Sequence, residues 1–172
     1  KDLTFSNQSC SESFKTLLGD EIKLEGENCV FTSDGEIISL AGVMGGESTA
    51  CSRSTQKVLV ECAYFNPEEI IGKTIKYNLK SDAAHKFERG VDIASQEKVL
   101  RRFVSIVQDH ATTKSLKMKT FIGKQFEDKY LPIDTKRINK ILGTKLLEEN
   151  YISFLSKLGF EVEDKIKIPS FR

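Results

Sequence analysis

Three observations predict an α+β fold, with a mixed or antiparallel sheet and packed helices, followed by part of a small winged-helix-like α+β module. The first third alternates short apolar runs with turn pairs, residues 95–111 place apolar side chains at helical spacing, and the last forty residues give two short helices and then strands. Strands gathered before helices favour α+β over a regularly alternating βα chain.

In "FKTLLGDEIKLEGENCVFTSDGEIISLAGV", the pairs Gly19-Asp20, Gly26-Glu27 and Asp34-Gly35 mark turns, and Phe14, Leu17, Ile22, Leu24, Val30, Phe31, Ile37, Ile38 and Leu40 supply the apolar side. "KVLVECAYF" (residues 57–65) is rich in β-branched and aromatic residues and predicts a further strand. Asn66-Pro67-Glu68-Glu69 has the signature of a helix start: a capping residue, proline in the first turn and acids at the positive end of the dipole. In "SQEKVLRRFVSIVQDHA", Val99, Leu100, Phe103, Val104 and Val107 share a helix face. A polar, Lys-rich connector follows, and the composition shift places a domain boundary between residues 125 and 126. Beyond it, a helix with Ile138, Ile141 and Leu142 stops at Gly143. A second, with Tyr151, Ile152, Leu155 and Leu158, ends at Gly159, and the strands "FEV" and "IKI" follow. Residues 126–172 are too few to close a core of their own, so they are expected to be the beginning of a larger domain.

With 39% apolar and 30% charged residues, the composition is that of a soluble globular protein. No apolar run is long enough to span a bilayer, and "KDLTFSNQSC" lacks the apolar centre of a signal peptide, which points to a cytoplasmic chain without a membrane partner. Cys10, Cys29, Cys51 and Cys62, with His85 and His110, do not have metal-ligand spacing, so no metal site is expected and reduced thiols are the default. Charge is uneven. Residues 1–92 hold 10 Lys and Arg against 15 Asp and Glu, whereas residues 93–172 hold 16 against 10, a basic half able to meet a phosphate backbone or simply solvent.

Three stretches invite a chemical reading, and each has a plain structural alternative. "AGVMGGESTA" carries Gly42, Gly45 and Gly46, which suit either tight turns or close approach of backbone to a ligand; it has neither dinucleotide-site nor P-loop spacing. Glu61 interrupts an apolar run, either on a solvent face or as a pocket carboxylate that needs a donor. "SDAAHKFERGVD" (residues 81–92) is either a charge-laced structural turn or a site whose small residues leave room for substrate. Ser81, Asp82 and His85 are too close in sequence to form a catalytic triad.

Taken in order and spacing, "ISLAGVMGG", "VLVECAYFNPEEI" and "SDAAHKFERGVD" resemble the β subunit of bacterial phenylalanyl-tRNA synthetase, in its editing module (B3/4). The tail "IDTKRINKILGT…YISFLSKLGFEV…KIKIPSFR" resembles the start of the next module (B5). The resemblance implies a B3/4 portion over residues 1–125 and a truncated B5 portion over residues 126–172. It also implies hydrolysis of mischarged Tyr-tRNA(Phe), because an apolar synthetic pocket rejects an added hydroxyl only about 100-fold and a second site must do the rest. Under it, Glu61 accepts the tyrosyl hydroxyl, Gly42 lays backbone against the amino acid, and Ser81 and Ala83 are small pocket positions. Hydrolysis in this family is understood as attack by a positioned water, so no catalytic nucleophile or general base is named. The implied partners are tRNA(Phe) and an α subunit in an α2β2 assembly. No cofactor is expected on these residues, while ATP and Mg2+ belong to the complete synthetase.

Ala84, Lys86 and Ile93 depart from the family's usual Ser, Arg and Pro. The family's His-containing "PLHAFD" segment, part of the editing pocket, is expected upstream of Lys1, so these residues are expected to hold an incomplete site. These departures motivate the alternative, a non-catalytic RNA-binding or scaffold module with a decayed editing site.

Overall fold

In the computed structural model, which describes residues 2–123 and 125–172, the chain divides into two units, Lys1–Val91 and Asp92–Arg172. Both combine antiparallel sheet with helices, as an α+β fold requires.

The first unit is built on a four-stranded antiparallel sheet in the order β1-β2-β3-β4, with β1 Leu3–Lys15, β2 Glu21–Ser33, β3 Glu36–Leu40 and β4 Met44–Gly45. β1 and β2 pair along their whole length, Phe14 opposite Ile22 and Cys10 opposite Gly26. Asp34 and Gly35 join β2 to β3 with φ of 52° and 88°, positive at both positions as a type I′ hairpin turn requires. Leu24, Val30, Leu40, Ile70, Phe14 and Phe65 are among the buried side chains of its core.

Three short helices close over the sheet: α1 Pro67–Ile70, α2 Lys73–Lys76 and α3 Asp82–Phe87. α1 begins with the predicted proline and acids, although Asn66 makes no side-chain cap bond. α2 is held through Asn28, a fully buried amide in β2. Its Nδ2 donates to the carbonyls of Glu25 (3.3 Å) and Gly26 (2.9 Å), and its Oδ1 accepts from the Tyr77 hydroxyl (2.9 Å) and Lys73 Nζ (3.1 Å). All four polar positions of the amide are thereby satisfied, as burial demands.

The strand predicted over residues 57–65 does not form. That segment has no regular secondary structure, and Val58 and Leu59 are 65% and 74% exposed. β-branched composition expresses a fit to a pleated surface, and no strand among the described residues supplies the neighbouring ladder.

The second unit opens with α4, Gln96–His110, the helix its apolar spacing predicts. β5 Lys129–Pro132, β6 Glu161–Val162 and β7 Lys165–Ile168 form a three-stranded antiparallel sheet in the order β5-β7-β6, with α5 Thr135–Leu142 and α6 Glu148–Lys157 between β5 and β6. Asp134 caps α5 by accepting from Arg137 N–H (2.9 Å), and Gly143 ends it in the left-handed region at φ 67°. Asn139 fastens the turn into α6, with Nδ2 donating to Leu146 O (2.9 Å) and Oδ1 accepting from Leu146 N–H (2.8 Å). Ile166 is the one buried apolar residue among the described residues of this unit. No helix among the described residues is long and apolar enough to cross a membrane.

Candidate functional site

The three sequence motifs of the first unit meet around one aromatic ring, Phe65, which is 6% exposed. Phe65 lies four residues beyond Glu61 and anchors that irregular segment to the core. The loop after β3 reaches it through Gly42: a Cβ there would stand 2.8 Å from Phe65 Cδ2 and 2.9 Å from Ile70 Cδ1, and φ is +71°. The close approach and the left-handed backbone both require glycine. α3 reaches the same ring through Phe87, edge-on with centroids 5.0 Å apart, while Phe5 and Phe31 meet it from the sheet at 5.8 and 6.4 Å. Aromatic pairs at these separations prefer such tilted arrangements.

Ser81 makes the second junction. Its hydroxyl accepts from Ala84 N–H (3.1 Å), capping α3, and donates to the carbonyl of Val43, next to Gly42. Ala84 is fully buried beneath the helix, whereas Ala83 is exposed in its first turn. A small residue at 83 therefore bounds open space, while the alanine at 84 packs.

Glu61 is an exposed residue, yet desolvation by surrounding protein pushes its carboxyl above the usual carboxylate range. Among the described residues no ion pair offsets that cost, and no hydrogen bond links Glu61 to Gly42, Ser81 or Ala83. Burial also raises the neighbouring Cys62 thiol, with the Glu61 charge adding to the shift. A desolvated carboxylate without a cation suits a neutral donor such as a hydroxyl.

The structure thus brings Gly42 and Ser81 together through Val43, sets Ala83 beside them on α3, and ties the Glu61 segment to both through Phe65. Among the described residues, no group of three or more His, Cys, Asp or Glu converges as metal ligands would. A separate cleft of about 230 Å³ is lined by Phe5, Asn7, Cys29, Tyr64, Phe65, Asn66 and Glu69, and none of the four site candidates lines it. There Glu69 Oε2 accepts from Asn7 Nδ2 (3.1 Å), with the buried Cys29 Sγ at 3.9 Å. Burial, reinforced by the Glu69 charge, raises the Cys29 thiol. Sequence spacing gave no sign of this cleft, because Asn7 and Glu69 are brought together only by the packing of α1 against β1.

An antiparallel sheet carrying a glycine-rich loop, with a capped helix docked on that loop, defines the class: residues 1–112 match the B3/4 domain family, and the chain belongs to that family. Its longer relatives are phenylalanine–tRNA ligase β subunits, the resemblance that the motifs carried. Identity is 32% over 168 residues with the Methylococcus capsulatus subunit (94% of this chain, 21% of the relative). It is 33% over 157 residues with that of Shewanella oneidensis and 32% over 152 with that of Burkholderia pseudomallei, covering 88% of this chain and 19% of each relative. The chain therefore spans about a fifth of the length of the curated relatives it matches.

Proposed function

We propose that the chain carries part of a hydrolytic editing site that clears Tyr-tRNA(Phe), within a phenylalanine–tRNA ligase β subunit. The observation that carries this reading is the convergence on Phe65 of the Glu61 segment, the Gly42 loop and α3. Glu61, desolvated and without a cationic partner, accepts the tyrosyl hydroxyl. Phenylalanine offers no donor and leaves that carboxylate unsatisfied, so the site favours the misacylated product over the correct one. Gly42 keeps the loop close to the core, and Ser81 fixes α3 so that Ala83, which has no bulk to intrude, faces the space a ring would occupy. A water positioned at the ester performs the attack. Around this site the proposal places tRNA(Phe), an α subunit of an α2β2 enzyme with its ATP and Mg2+, a cytoplasmic setting, and a B5-type tRNA-facing module beginning near residue 126.

The test is deacylation of Tyr-tRNA(Phe) and Phe-tRNA(Phe) by the intact synthetase carrying this sequence, with and without Glu61→Ala. A hydrogen bond to a charged group contributes about 1.5–3 kcal/mol, so the variant is expected to lose roughly 10- to 150-fold on the tyrosyl substrate. Aminoacylation with phenylalanine is expected to remain. An unchanged rate on Tyr-tRNA(Phe) refutes the role of Glu61, and negligible rates on both substrates in the parent enzyme would favour a non-catalytic RNA-binding module.

A further inference from the structure

We propose that the outer edge of β1 is a self-pairing interface, along which two copies of this chain join antiparallel about a two-fold axis at Gln8. The contact is independent of the editing reading.

Successive residues of an antiparallel strand send their backbone groups alternately to its two sides. Asp2 O accepts from Asp34 N–H (3.3 Å) and Thr16 N–H donates to Asp20 O (2.8 Å), so the even-numbered residues of β1 face β2. The odd-numbered residues from Leu3 to Ser13 therefore turn their N–H and C=O groups away from β2, and no other strand among the described residues pairs with them.

This edge lacks the devices that keep an open strand from pairing: short length, bulges, proline and charge. β1 is thirteen residues long, runs against β2 without a register shift, holds no proline, and has no charged residue from Leu3 to Ser11. The other sheet edges among the described residues do carry such devices. β4 and β6 have two residues each, and β5 has Lys129 and Pro132. β1 itself is covered at its far end, where Leu17 N–H donates to Gly45 O (2.8 Å), Thr16 bridges Gly46 and Lys15 Nζ meets Glu47 (2.7 Å). The open stretch is Leu3 to Ser13.

The occupant that fits is the same stretch of a second copy. Its midpoint is Gln8, so an axis there sets Leu3 of one copy against Ser13 of the other, Phe5 against Ser11 and Asn7 against Ser9. Each such pair exchanges two backbone bonds, and six pairs give about twelve. Glu12 then lies opposite Thr4, with no like charge facing it. Moving the axis to Asn7 sets Glu12 against Asp2, and moving it to Ser9 sets Leu3 against Lys15, at the end that β4 already covers. Length and charge thus select one register. The assembly closes at two copies, because the opposite edge of the sheet, β4, is too short to seat another strand.

The experiment is sedimentation velocity of the purified, reduced chain from about 1 to 200 μM, the range in which associations of moderate affinity are resolved. A species of twice the 19.4 kDa chain mass is expected to grow with concentration. Ser9→Pro removes two outward N–H donors, one from each copy, and no bond to β2, so it is expected to weaken dimerisation roughly 5- to 150-fold. The register is read by cross-linking, with the exposed Cys51 replaced by serine. Gln8→Cys places two thiols in a non-hydrogen-bonded pair with Cα atoms about 4.5 Å apart, within disulfide reach. Ser11→Cys, on the same strand, puts its thiols about 20 Å apart. Mild oxidation should therefore link the first variant as a dimer and leave the second at background. A parent chain that stays monomeric across the range overturns the proposal, as does an open-ended series of larger species, which would place a different segment, such as residues 57–65 of another copy, on the edge. Parent affinity in Ser9→Pro overturns it too. Should that variant fail to fold, the cross-linking pair decides: equal linking of Gln8→Cys and Ser11→Cys overturns the proposal.

Discussion

Replacing Gly42 with alanine adds one methyl group where the fold has no room for it. The residue sits at φ +71°, and the new Cβ would be 2.8 Å from Phe65 Cδ2 and 2.9 Å from Ile70 Cδ1. Left-handed backbone costs a residue with a Cβ about 1–2 kcal/mol. Ile70 and Phe65 are 1% and 6% exposed, so neither can move without disturbing the core, and overpacking of this kind costs about 1–3 kcal/mol. The two add to roughly 2–5 kcal/mol, enough to consume much of the stability of a small unit. Urea unfolding followed by far-ultraviolet circular dichroism measures the loss, and amide exchange across residues 21–87 places it in the first unit. A loss below about 0.5 kcal/mol, the range of an indifferent surface change, would refute the packing argument.

Two further perturbations test the same neighbourhood. Ser81→Ala removes both the α3 cap and the bond to Val43 and is expected to cost about 1–2 kcal/mol in thermal unfolding, with Ser81→Thr recovering most of it; equal stability of the alanine variant would show that the hydroxyl holds nothing. For Glu61, desolvation raises the folded-state pKa above the unfolded one, so the folded state binds more protons in that window and stability falls as pH rises through it. Glu61→Gln should therefore gain stability over the parent at neutral pH and match it in acid below the unfolded-state pKa, as read from urea midpoints. A loss at neutral pH would reveal a favourable partner for the ionised carboxylate.

Where local periodicity and tertiary packing agree, the sequence was readable. α4 announces itself because its apolar residues recur at helical spacing along most of its fifteen residues. β1 does not, because the face holding buried Cys10 and Phe14 otherwise carries Thr4, Ser6, Gln8 and Glu12, which give no apolar alternation. β5 was not read as a strand, its first two residues being taken as the end of the Lys-rich connector: Lys129, Tyr130, Leu131 and Pro132 are all exposed, and proline is tolerated there because β5 is an edge strand. The error over residues 57–65 ran the other way, since composition favoured a strand for which the fold supplies no neighbour. Gly42, Ser81, Ala83 and Glu61 stood out as oddities within short motifs. The role of Phe65 did not, because it depends on contacts with Phe5, Phe31 and Phe87, which no local spacing encodes.

Asn28 has a chemical future that its neighbours lack. Hydrolysis of its amide to an acid, the commonest spontaneous ageing reaction of asparagine, would keep the oxygen that meets Lys73 and Tyr77 and lose the nitrogen that meets Glu25 and Gly26. A carboxylate oxygen would then face two backbone carbonyls inside the sheet, with no proton between them. A change of one mass unit would set the β2 anchor of α2 against itself, so the attachment of α2 rests on that single side chain staying an amide.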